Sequence, residues 1–89
     1  MNPVPSDAQW LVLLQVEDGE VFYCGEGVWR ARGPVTTFPV TRIINRLIEL
    51  GALECETEGE LRVTAYGAMV LARRSVYDVL ERQGRRKQS

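Results

Sequence analysis

An α+β domain in the order helix, hairpin, helix, hairpin, helix is what this 89-residue sequence predicts. Three observations lead there. Apolar residues recur at helical spacing in three separate stretches, the residues between them alternate around glycine-centred turns, and capping residues stand where one pattern gives way to the next. A chain of this length has material for one core, because a divided core leaves too much surface unburied. Its 45% hydrophobic and 26% charged residues are those of a globular chain, not a disordered one. Residues 1–89 are therefore expected to form a single domain, with 1–5 as a flexible lead and 84–89 as a basic tail.

The first helix starts at Pro5-Ser6-Asp7-Ala8-Gln9. Ser6 can cap the amide three residues on and Gln9 can reach back to it, a capping box. The helix runs to about Glu17 on a stripe of Trp10, Leu13, Leu14 and Val16, and Asp18-Gly19 ends it. From Glu20 to Arg32, β-formers surround Gly25-Glu26-Gly27, and folding about Glu26 sets Tyr23 opposite Trp29 and Glu20 opposite Arg32. A hairpin follows from that register.

Gly33-Pro34-Val35-Thr36 reads as a connector, after which Thr37 can cap a second helix whose first turn accepts Pro39. Val40, Ile43, Ile44, Leu47, Ile48 and Leu50 give its apolar face, and Gly51 is placed for a left-handed C-cap. The second hairpin covers Leu53 to Ala65. A three-residue loop at Thr57-Glu58-Gly59 pairs Leu53 with Val63, Cys55 with Leu61 and Glu54 with Arg62, sorting apolar from charged residues onto opposite faces; a two-residue loop at Glu58-Gly59 mixes them. Thr64 can cap a long last helix on Ala65, Met69, Ala72, Val76, Val79 and Gln83. Met69, Val76, Val79 and Leu80 then form an apolar seam through which two copies could pair as a homodimer.

The chain has no histidine, so the commonest general base and metal ligand are missing, and Cys24 and Cys55 cannot make a zinc site by themselves. Each cysteine lies in an apolar alternating run and reads first as a small buried hydrophobe, with a disulfide between them as the second reading. Glu54, Glu56, Glu58 and Glu60 surround a hairpin tip, where solvated carboxylates are not desolvated for acid–base work. No catalytic residue, metal or cofactor is implied, and an enzyme is not expected. The first residues lack a basic stretch followed by an apolar one, and Trp10 to Val16 is too short to cross a bilayer, which points to a cytoplasmic protein with no membrane association.

The stretch Val40 to Leu71 resembles the second half of winged-helix regulators of the MarR and PadR type. Their recognition helix ends in a Leu-x-x-x-Gly-Leu pattern, followed by a wing and a Leu-Thr-x-x-Gly entry into a helix. Here the matching residues are Leu47-Ile48-Glu49-Leu50-Gly51-Ala52-Leu53 and Val63-Thr64-Ala65-Tyr66-Gly67. The resemblance implies a winged-helix-like fold with helix 37–51 as recognition helix. It departs from the family in two places. Val21 to Arg32 reads as strands where the scaffold helix of a helix-turn-helix would stand, and the wing is acidic where the family's presents basic groups to phosphate.

Between Gly27 and Ile48 lie Arg30, Arg32, Arg42 and Arg46 and no acidic residue, although the net charge is −1. Thr41, Arg42, Asn45 and Arg46 fall opposite the aliphatic stripe of the second helix, and these side chains can read base edges in a major groove. The first reading is thus a small regulator of transcription that binds double-stranded DNA through Arg30, Arg32, Thr41, Arg42, Asn45 and Arg46. The alternative is a non-catalytic adaptor or inhibitor that meets a protein through Glu54, Glu56, Glu58 and Glu60, an exposed region around Trp29, or the last helix.

Overall fold

The computed structural model describes residues 5–74 and 79–80. Over these residues it is an α+β fold, with three helices and two antiparallel sheets among the elements described. The elements are α1 (Asp7–Glu17), β1 (Val21–Tyr23), β2 (Trp29–Arg32), β3 (Thr37–Pro39), α2 (Thr41–Glu49), β4 (Leu53–Thr57), β5 (Glu60–Val63) and α3 (Ala65–Ala72). Strands β1, β2 and β3 form one meander, and β4 and β5 a separate hairpin.

Helix α1 opens with the capping box. Ser6 Oγ accepts from the Gln9 amide at 3.2 Å, and Gln9 Oε1 accepts from the Ser6 amide at 2.9 Å. Trp10 and Leu13 put this helix at the centre of the core, where it touches α2, α3, β5 and the first sheet. The indole N–H of Trp10, desolvated by that burial, donates to the carbonyl of Val70 at 3.2 Å and so pins α3 to α1. In the first hairpin Tyr23 stands opposite Trp29, as the sequence predicts, with ring centroids 4.8 Å apart. The backbone joins Arg32 to Glu20 at 2.9 Å, but the Arg32 guanidinium lies 5.8 Å over the Phe22 ring. Trp29 is buried, so the expectation of an exposed surface there is corrected.

The largest departure from expectation lies at Thr37–Pro39, a third strand instead of the first turn of a helix. Thr37 does not cap α2. Arg30 holds it in the sheet, donating from Nε to Thr37 Oγ1 and from Nη2 to the Thr37 carbonyl, both at 2.8 Å. Pro39 is tolerated because β3 is an edge strand: the Val40 amide points inward to the Trp29 carbonyl, so the alternating pattern turns position 39 outward, where no ladder bond is lost. Helix α2 then starts at Thr41 with Val40 as an N-cap that offers no side-chain bond.

Its end follows expectation. Gly51 has φ +81°, its amide meets the Ile48 carbonyl at 3.0 Å, and the Ala52 amide meets that of Leu47 at 2.9 Å, the paired bonds of a Schellman motif. In the second hairpin Leu53, Glu54 and Cys55 pair as predicted, but the loop is tighter: Thr57 pairs with Glu60 across Glu58-Gly59, and a bulge between Cys55 and Thr57 absorbs the odd residue. The bulge lets a two-residue turn keep the sorted register.

Helix α3 is capped by Thr64, whose Oγ1 accepts from the Gly67 amide at 3.1 Å, and it closes at Ala72 with Arg73 as C-cap, well short of the long helix expected. Val79 is fully buried in the core, which removes it from any exposed seam. Val76, residues 1–4 of the expected lead and the tail 84–89 lie outside the described residues, while Pro5, expected at the end of that lead, is fully buried. Both cysteines are free and exposed, not buried. Cys24 follows the last residue of β1, and Cys55 lies on a hairpin with solvent on most of both faces. No helix among the described residues is long and apolar enough to cross a membrane.

A Cβ on Gly67 would meet the Ala52 carbonyl inside contact distance and lie 2.9 Å from Val63 Cγ1. Gly67→Ala is expected to destabilise the fold by about 1–3 kcal/mol, because backbone cannot yield as a side chain can. Urea unfolding checks this, with the exposed Ala68→Gly as a helix-propensity control costing about 1 kcal/mol.

Candidate nucleic-acid interface

Helix α2 presents one narrow polar stripe. Val40, Ile44 and Leu47 are buried in the core, so the 3.6-residue period turns Arg42, Asn45, Arg46 and Glu49 outward. Arg46 Nη1 lies 3.0 Å from Glu49 Oε2, an exposed pair worth about 0.3–0.5 kcal/mol and therefore easily exchanged for another anion. Arg42 forms no ion pair among the described residues.

Thr41 belongs to the frame and not to the stripe. Its Oγ1 accepts from the Trp29 amide at 3.0 Å and faces the Trp29 carbonyl at 3.4 Å, so this hydroxyl fastens the first turn of α2 to the start of β2. That bond aims the helix. Arg30 is similarly engaged with Thr37 and half-buried, while Arg32 is exposed. The register sets Phe22 opposite Arg30, which places Phe22, Arg30 and Arg32 together on the outer face of the first sheet.

The acidic hairpin is largely engaged with its own side chains. Arg62 Nη2 contacts Glu54 at 2.7 Å and Glu56 at 2.5 Å, and the Glu54 hydrogen bond followed by the charges of Glu56 and Glu54 raises the pKa of its guanidinium. Glu60 accepts from Thr57 at 2.9 Å. Glu58 reaches across to the first hairpin, where its Oε1 accepts the Tyr23 hydroxyl proton at 2.7 Å while the same phenol oxygen accepts from the Gly27 amide at 2.9 Å. The ring of Tyr23 lies over Gly59, where a Cβ would stand 3.0 Å from Cδ2. Sequence reasoning missed this clasp because its partners are 35 positions apart and no periodicity links them.

Of the apolar residues expected to pair two copies, Met69 and Leu80 are exposed, Val79 is buried and Val76 is outside the described residues. No group of histidine, cysteine or carboxylate side chains among the described residues could hold a metal ion. No protein-family model, curated protein or solved structure matches this chain.

Two outcomes follow. Thr41→Val should cost about 1–3 kcal/mol in chemical unfolding, because it strips the partner from a part-buried Trp29 amide. Glu58 raises the pKa of the Tyr23 phenol, chiefly by its hydrogen bond and against the lowering effect of the Gly27 amide. A raised phenol pKa means that the folded state gives up this proton later than the unfolded chain, so the stabilisation is complete below about pH 10 and is lost as pH rises through the folded value. Ultraviolet titration should therefore resolve a tyrosine ionising above the ordinary range in the wild type, and Glu58→Ala should bring it back down.

Proposed function

We propose that this chain is a winged-helix-like DNA-binding domain that regulates transcription by occupying its site, with α2 as recognition helix and β4–β5 as wing. The observation that carries the reading is the Arg42, Asn45 and Arg46 stripe on a helix whose opposite side is fixed in the core. Arginine can pair bidentately with the O6 and N7 of guanine, and asparagine with the N6 and N7 of adenine, so a helix carrying them at i, i+3 and i+4 has the side chains to read adjoining base pairs. Arg46 would exchange Glu49 for a base edge at small cost. Arg32, exposed on the first sheet, supplies a phosphate contact, and Arg30 a second through the part of its guanidinium not held by Thr37.

The three-stranded sheet takes the place of the scaffold helix: the Thr41 bonds to Trp29 orient α2 from a strand instead of from a preceding helix. The acidic wing is compatible with a nearby duplex to the extent that Arg62 offsets Glu54 and Glu56. Met69 and Leu80 remain as exposed apolar groups for pairing two copies on adjacent half-sites.

Fluorescence anisotropy with a mixed-sequence duplex over a range of salt should give an affinity that falls with salt. Arg42→Glu combined with Arg46→Glu should weaken binding by at least about tenfold, and Arg32→Ala should reduce the salt slope by about one. Absence of binding at low salt, or an unchanged affinity in the double variant, would defeat the proposal.

A further inference from the structure

Helix α1 carries apolar residues beyond its buried side. Trp10, Val12 and Leu13 are buried, Leu11 and Leu14 on the flank pack against the core but stay partly open, and Ala8 is exposed, a wider apolar surface than one core-facing stripe needs. Ala8, Leu11 and Leu14 line a groove of about 560 Å³ whose far side is made by Pro34, Phe38 and Ile43. Phe38 shares a sheet face with the buried Ala31 but stays 40% exposed, because it looks into this groove and not into the core. Gln15 Nε2 donates to the Arg32 carbonyl at 2.9 Å and braces α1 against β2 beneath it. Val35, on the β2–β3 turn beside it, is 96% exposed. Grouped apolar exposure of this kind marks an interaction surface.

One end of the groove is acidic. Asp18 and Glu20 line it, Glu17 stands beside them, and all three gather at the negative end of the α1 dipole, where carboxylates are unfavourable. The last turn of α1 holds no basic residue, and none of the three forms an ion pair among the described residues. Arg32, which the register brings to Glu20, has its guanidinium over Phe22 instead. Among the described residues Arg32 is the one cation in the groove lining, and with its guanidinium turned to Phe22 it leaves these carboxylates unpaired.

We infer that the groove is a docking site for an amphipathic segment of a partner protein, apolar along one side and bearing arginine or lysine at the end that meets Asp18 and Glu20. The apolar walls take two or three aliphatic or aromatic side chains, and the cation both neutralises the carboxylates and completes the missing charge at the helix terminus. Phosphate would be repelled by these carboxylates; Arg32 belongs both to the groove lining and to the proposed phosphate contacts, but the apolar walls and the acidic end do not, and the docking proposal does not rest on the DNA reading.

The test uses the full chain and a synthetic helical peptide of about 14 residues, with leucines at i, i+3, i+4 and i+7 and arginines in one terminal turn. A sister peptide carries glutamates in place of the arginines. The arginine peptide should shift the amide resonances of Leu11, Leu14, Phe38 and Ile43 and bind at least about tenfold more tightly than its sister. Phe38→Ser, an exposed change that spares the core, should weaken it by a similar factor. Asp18→Lys combined with Glu20→Lys should reverse the preference between the peptides, with circular dichroism unchanged. Equal binding of both peptides, no reversal, or shifts confined elsewhere overturns the proposal. So does sedimentation showing a dimer that Phe38→Ser dissociates, since the occupant would then be a second copy. A duplex added to the peptide complex should leave it intact; displacement would mean that the groove belongs to the DNA surface after all.

Discussion

The approach of α3 to the end of α2, close enough that only glycine fits at position 67, is the contact on which the arrangement of the second half depends. Gly51 turns the chain out of α2 through a left-handed conformation, and Ala52 is then held from two sides: its amide on Leu47 and its carbonyl on the Thr64 amide. Thr64 caps α3 and at the same time donates its hydroxyl to the Gly51 carbonyl, so one side chain closes the end of one helix and opens the next. The hairpin β4–β5 is the loop between these fixed points. Its ends are set by backbone bonds while its tip is set by Tyr23, and the polar stripe on α2 inherits its direction from the same junction.

The other end of α2 is fixed by side chains, which is less usual. With no capping bond at Val40, the first turn depends on Thr41 against Trp29 and on the Arg30 grip that keeps Thr37 in the sheet. Two of the residues that a linear reading offers for DNA, Thr41 and Arg30, thus do positional work, and only part of the Arg30 guanidinium is left over for another contact. The groups left over on the outer surface are fewer but better defined, because the frame behind them is satisfied.

Much of this was legible in the sequence wherever the cause was local. The Ser6–Gln9 box, the Gly51 C-cap, the Thr64 cap and both hairpin registers depend on residues within a few positions of one another or on strict alternation, and each appears where the spacing places it. Thr37 and Pro39 failed because their residue types fit two structures equally: a capped helix start, or an edge strand with its proline amide turned out. The choice was made by Arg30, seven positions away across the sheet. The stripe on α2 was readable apart from Thr41, whose hydroxyl is claimed by a backbone 12 positions distant. The groove had a visible sign in the five consecutive apolar residues Trp10 to Leu14 of α1, which a search for one core-facing stripe passes over.

Pro39 has a further effect at the border of the first sheet. Of the outward positions on β3, Thr37 has an amide to offer a passing strand and Pro39 has none, so the ladder cannot be continued by another chain in register. The β3 edge is in this way guarded against pairing with a strand of another chain. It also follows that whatever binds beside β3 must do so through side chains and shape, and that its recognition will be selective for sequence instead of indifferent to it.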